Sequence, residues 1–117
     1  MTVKIYHNPR CSKSRETLKL LQTQGIEPEI IEYLKTPPSA EELTDILDKL
    51  GLDDPRALMR KKEKEYKENN LDDTSLSREQ LIAAMVEFPR LIERPIVLAN
   101  NKAAIGRPPE NVLAILS

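Results

Sequence analysis

From Val3 to Tyr6 apolar and polar positions alternate among β-forming residues, which predicts a strand. Over about Ser12 to Gln24 the spacing becomes helical. Thr17, Leu18, Leu20 and Leu21 make its apolar face, and Gly25 stands where a helix takes its C′ residue. Glu29 to Leu34, Glu-Ile-Ile-Glu-Tyr-Leu, reads as a second strand. A strand, a helix and a strand in so few residues make a compact βαβ unit, which requires a parallel pair.

Thr36-Pro37-Pro38 interrupts the pattern. Ser39-Ala40-Glu41-Glu42 follows as a capping box, and Leu43, Ile46, Leu47 and Leu50 recur at helical spacing up to Gly51. A short helical segment is expected over Pro55 to Met59. Lys61 to Asn70 is highly charged with no strong period and reads as a solvated segment, with a mobile flap as the alternative. Ser77-Arg78-Glu79-Gln80 is a second capping box, opening a helix whose apolar face is Leu81, Ile82, Met85 and Phe88. Arg94 to Ala99 opens a third strand, Asn100-Asn101 is a hairpin turn, and Lys102 to Ile105 returns as a fourth. Gly106-Arg107-Pro108-Pro109 then leads into a last helix carrying Val112, Leu113, Ile115 and Leu116.

The order is therefore β-α-β, a helical insertion, then β-β-α. An α/β fold with a four-stranded mixed sheet and helices packed on it accounts for this order. The two outer blocks resemble the thioredoxin-like plan. The 117 residues suffice for one domain, 1–117, with the insertion at about 39–88.

Composition narrows the function. No apolar run approaches the roughly 18–20 residues of a membrane span. The first residues lack the plan of a signal peptide. The formal net charge of −1 argues against a broad electrostatic grip on nucleic acid. One Cys and one His are too few for a zinc site, and no phosphate loop or dinucleotide fingerprint is present. A single cysteine forms no internal disulfide, so a reducing cytoplasm is its natural setting.

That cysteine is Cys11, in Lys4-Ile5-Tyr6-His7-Asn8-Pro9-Arg10-Cys11-Ser12-Lys13-Ser14-Arg15. It falls at the predicted helix start, where unpaired N–H groups and the positive dipole end favour an anion. His7, Arg10, Lys13 and Arg15 add positive charge nearby. A free thiol has a pKa of about 8.5, and such a setting lowers it toward a usable thiolate. The neighbours are polar and basic, so a reactive thiol is favoured over a buried structural one.

The ordered set His7-Asn8-Pro9-x-Cys11-x-x-Ser14-Arg15, Tyr33-Leu34-x-Thr36-Pro37-Pro38, Arg56-Ala57-Leu58-x-Arg60, Arg94-Pro95-Ile96-Val97 and Gly106-Arg107-Pro108 spans nearly the whole chain. In this order and spacing the chain resembles the arsenate reductases that use glutathione and glutaredoxin, a group that includes the related Spx regulators. The resemblance implies a catalytic Cys11 and three substrate-binding arginines, Arg60, Arg94 and Arg107. It implies that His7 helps to ionise the thiol. Pro95 would be a cis proline whose loop faces the cysteine, aiming Arg94 at Cys11. Ser14, one helical turn from Cys11, is in reach of the sulfur.

The implied reaction is attack of Cys11 on arsenate, reduction of the adduct by glutathione as co-substrate, and release of the mixed disulfide by glutaredoxin. No bound cofactor, metal, membrane or nucleic-acid partner is implied. A protein that resolves its own adduct needs a second thiol, and this chain has none. Two rival readings remain open. An Spx-like RNA polymerase-binding regulator would usually carry Cys-x-x-Cys where this chain has Ser14. A family thiol oxidoreductase with weak or no arsenate activity would fit the loop of Ser12-Lys13 with Arg10, which is more basic than the loop of the best-known arsenate reductases.

Overall fold

Extended residues at the chain start form β1 (Lys4–His7) in a computed structural model that describes residues 2–116. With β2 (Glu29–Glu32), β3 (Ile96–Ala99) and β4 (Lys102–Ile105) it builds a sheet of order β2-β1-β3-β4. β1 runs parallel to β2, pairing Ile5 with Ile30, and antiparallel to β3, pairing Ile5 with Val97. β3 and β4 form an antiparallel hairpin. This is the mixed sheet the sequence predicts. Asn100 and Asn101 both take positive φ, 53° and 62°, as a tight two-residue hairpin turn requires.

The fold divides into two compact units. One joins the residues up to Thr36 to those from Arg94 onward, and the other is Pro37–Glu93. In the first, α1 (Ser12–Thr23) returns the chain from β1 to β2. Gly25, at φ 77°, ends this helix, and Ile26 N–H donates back to Leu21 O at 3.0 Å. Side chains of one sheet face, Val3, Ile5, Val97 and Ala99, bury against Leu21 of α1 and against Val112 and Ile115. The last two lie three residues apart on a 3-10 helix, Pro109–Ile115, where an α-helix was expected. An i, i+3 spacing suits the 3-10 repeat, and Leu113, off that face, stays exposed.

The second unit holds α2 (Ala40–Leu50), α3 (Lys64–Glu68) and α4 (Arg78–Glu87). Both capping boxes form as read, at Ser39/Glu42 and Ser77/Gln80. Its buried residues include Leu43, Ile46 and Leu47 of α2 and Leu81, Ile82 and Met85 of α4. This unit reaches beyond 39–88 because backbone bonds close it. Arg60 N–H donates to Leu91 O, Glu93 N–H donates to Leu58 O, and Met59 bridges Ile92.

Lys61–Asn70 is not wholly solvated. Tyr66 of α3 is buried, as is Leu71 just after it, and Leu71 N–H donates to Tyr66 O at 3.0 Å. The second strand stops at Glu32, two residues before the expected end. Lys35 and Thr36 N–H both donate to Glu32 O and turn the chain there. Among the described residues no helix is long and apolar enough to cross a membrane. None of their His, Cys, Asp and Glu side chains forms a group of three or more able to hold a metal ion.

One contact sets where the hairpin can lie. Gly106 N–H donates to Pro95 O at 2.9 Å. A Cβ on Gly106 would stand 2.5 Å from Thr17 Oγ1 and 2.8 Å from Pro95 Cγ. Thr17 is fully buried in α1, with its hydroxyl 2.8 Å from Lys13 O. It has little freedom to yield. Gly106→Ala should therefore destabilise the protein by about 1–3 kcal/mol through overpacking. Urea denaturation reads this as a lower midpoint, and an unchanged midpoint would show that α1 and the hairpin separate without cost.

Candidate active site

Cys11 is the N-cap residue of α1, with φ −97° and ψ 123°, and is 7% exposed. A closed set of hydrogen bonds builds the turn that carries it. Cys11 N–H donates to Asn8 O at 3.0 Å, and Arg10 N–H donates to Asn8 Oδ1 at 3.0 Å. The Arg15 guanidinium reaches back from α1 and donates to Pro9 O at 3.0 Å. Asn8 does here what a short side-chain acceptor does well in a turn, which is to bond the backbone two residues on.

Ser14 is the centre of this set. Its hydroxyl is fully buried, accepts Asn8 N–H at 3.0 Å and lies 2.6 Å from His7 Nδ1. Strand parity explains the meeting: His7 lies two residues beyond Ile5 on β1 and so faces α1 with it. Burial lowers the His7 pKa from its ordinary value of 6.5. Glu32 opposes that shift and Arg15 adds to it. With the ring neutral and Nδ1 unprotonated, the Ser14 hydroxyl donates its hydrogen bond to Nδ1 and the ring proton sits on Nε2. Ser14 was expected to reach the sulfur. Its hydroxyl is instead engaged by His7 and Asn8, and it fixes the turn.

The group placed on the sulfur comes from the other end of the chain. Arg107 Nη2 donates to Cys11 Sγ at 3.5 Å, while its Nε donates to Arg94 O at 2.8 Å. One guanidinium thus ties the cysteine turn to the residue before Pro95. The Arg94–Pro95 bond is cis, as expected, and so is Arg107–Pro108, which the sequence reading did not anticipate. Arg94 itself is 9% exposed.

Arg60 belongs to the other unit. It follows the 3-10 helix Pro55–Leu58 and its Nη1 donates to Glu63 Oε1. Arg90 Nη2 stands 3.7 Å from the second Glu63 oxygen. Of the six sequence-derived residues, then, Cys11, His7, Ser14, Arg94 and Arg107 share one unit and Arg60 does not. Asn8, Arg15 and Thr17 were not singled out as site residues. The Asn-Pro dipeptide was the one available signal for Asn8.

A thiol at the N-cap of the first helix, beside a cis-proline loop on a β-α-β and β-β-α sheet, defines a thioredoxin-like thiol protein. The ArsC family model matches residues 6–115, and the chain belongs to that family. It is 64% identical over 114 residues to YfgD of Escherichia coli K12, an uncharacterized protein, covering 97% of this chain and 96% of that one. It is 56% identical to a Haemophilus influenzae protein named arsenate reductase, covering 99% of this chain and all of the other. A solved structure of an arsenate reductase from Vibrio cholerae superposes with a TM-score of 0.96 at 61% identity, covering 99% and 98% of the two chains.

The His7 shift carries a pH signature. Its folded pKa lies below the unfolded value of 6.5, so the unfolded chain binds more protons between the two. Stability is full above about pH 6.5 and is lost as pH falls from there through the folded pKa. His7→Gln should flatten this part of the curve of unfolding free energy against pH. A variant that kept the wild-type slope would assign it to other groups.

Proposed function

We propose that this protein reduces arsenate to arsenite, with Cys11 as nucleophile and external thiols as reductant. The observation that carries this reading is the Arg107 N–H on Cys11 Sγ, with the same guanidinium anchored through Nε. Arsenate is a tetrahedral oxyanion with about one to two negative charges near neutral pH, and a guanidinium fork suits two of its oxygens. The relatives named arsenate reductase support the choice of oxyanion.

In the proposed cycle the Cys11 thiolate forms a bond to arsenic, and an arsenate hydroxyl takes up a proton from solvent and leaves as water. Arg107 and Arg94 hold the remaining oxygens. A glutathione thiol then attacks the Cys11 sulfur of the adduct. The S–As bond breaks, its electron pair goes to arsenic, and the thiol proton ends on the departing arsenite. Arsenic is reduced by two electrons, and the two sulfurs are oxidised by one each to a Cys11–glutathione disulfide. A glutaredoxin thiol exchanges with that disulfide and restores Cys11. His7, Ser14 and Arg15 act through the turn, which holds the sulfur at the helix N-terminus.

Cys11→Ser should abolish arsenite production in the presence of glutathione and glutaredoxin, and full activity in that variant would sink the mechanism. Loss of a charged hydrogen bond worth about 1.5–3 kcal/mol should weaken oxyanion binding roughly ten- to 150-fold in Arg107→Ala. Titration with arsenate in the absence of thiols measures this directly. An unchanged affinity would remove Arg107 from the anion site.

A further inference from the structure

A cavity of about 180 Å³ lies beside the cysteine turn, walled by His7–Arg10 on one side and by Glu32, Leu34 and Lys35 on the other. All these residues belong to the same unit as Cys11. Arg10 directly precedes Cys11, so their Cα atoms are about 3.8 Å apart. Its guanidinium makes no hydrogen bond or ion pair with any described residue, in contrast to Lys13, which pairs with Glu16. Lys35 Nζ stands 3.5 Å from Glu32 Oε1, with both side chains well exposed. Leu34 is 43% exposed and gives the cavity an apolar wall. Two cations, one carboxylate and an apolar wall therefore surround a hollow beside the turn that leads into Cys11.

The geometry points to this cavity as the docking site for the α-amino-acid end of a small γ-glutamyl thiol. Such an end carries a carboxylate and an ammonium on one carbon. Arg10 and Lys35 meet the carboxylate, Glu32 meets the ammonium, and Leu34 packs on the methylenes between that end and the thiol. The hollow is too small for a whole tripeptide and suits one arm of it. The rest of the thiol then extends toward Cys11.

Stereochemistry constrains the approach of the thiol. A thiolate displacing a group from sulfur approaches opposite the bond that breaks. The arginine side of Cys11 Sγ is taken by Arg107, where the proposed oxyanion is held. The attacking thiol therefore comes from the side away from Arg107. This inference rests on the proposed thiol-dependent cycle for its purpose, but its test needs no arsenate.

The sole cysteine is converted to a mixed disulfide with thionitrobenzoate. Release of the coloured thiol is then followed during attack by glutathione and, separately, by 2-mercaptoethanol, which has no charged end. In this exchange the incoming thiolate bonds to Cys11 Sγ and thionitrobenzoate leaves with the electron pair. Mass spectrometry confirms the Cys11–glutathione product. Lys35→Glu and Arg10→Ala should each slow glutathione by roughly three- to tenfold, the size expected of partly exposed charge contacts, and leave 2-mercaptoethanol within about twofold. Equal slowing of both thiols would show a general effect on the sulfur and overturn the docking site, as would no slowing of either. Arsenite production by the wild-type protein, assayed apart, tells failure of the cycle from failure of the cavity.

Discussion

The missing Cβ of Gly106 sets the site. Thr17 of α1 and Pro95 of the hairpin both lie within 3 Å of where that carbon would be, so the hairpin closes on the helix only because nothing fills the space. The Pro95–Gly106 backbone bond is then the last closed rung of β3 and β4. Arg94 stands one residue before that rung and Arg107 one residue after it. The Nε–H of Arg107 spans them by donating to Arg94 O. The two arginines are brought together by a backbone rung and a steric vacancy.

The residues around Cys11 divide their labour in an unexpected way. Chain neighbours do the holding: Asn8 caps the turn, Arg15 grips Pro9 O, and Ser14 locks His7 and Asn8 together. The contact to the sulfur comes from Arg107, 96 positions away in the chain. A thiol placed this way has its position set by short-range bonds of the turn and its electrostatic partner set by the tertiary fold. Disturbing the turn and disturbing the hairpin are therefore different lesions. One misplaces the sulfur, and the other leaves it in place without its cation.

Much of this architecture was legible because local chemistry decided it. The strand–helix–strand opening, both capping boxes and the Asn-Asn turn follow from residue types whose preferences are strong over a few positions, whereas the cis bond before Pro95 was implied by the family resemblance alone. Cys11 at a helix start was legible for the same reason. What sequence missed was settled by contacts between distant segments. Tyr66 hides in a charged stretch whose period is too weak to reveal one anchoring aromatic. Ser14 looked free to serve the sulfur because nothing in a one-dimensional pattern shows that β1 delivers His7 to the same hydroxyl. The last helix takes 3-10 form, with Val112 and Ile115 three residues apart on the face that meets the sheet.

The electron count connects the site to what surrounds it. Taking arsenic from its higher to its lower oxidation state needs two electrons, and one thiolate leaving as half of a disulfide supplies one of them. The other has to arrive on a second sulfur, and this chain contains a single cysteine. In the proposed cycle the surface beside Cys11 is therefore part of the active site, since a reductant that is not covalently attached must be bound, oriented and released at every turnover. Selection of that reductant has to be made by groups that do not touch the oxyanion. Arg10, Glu32 and Lys35 meet that requirement in the proposed cycle: they flank the turn, carry both signs of charge and stand apart from the arginines proposed to hold the oxyanion.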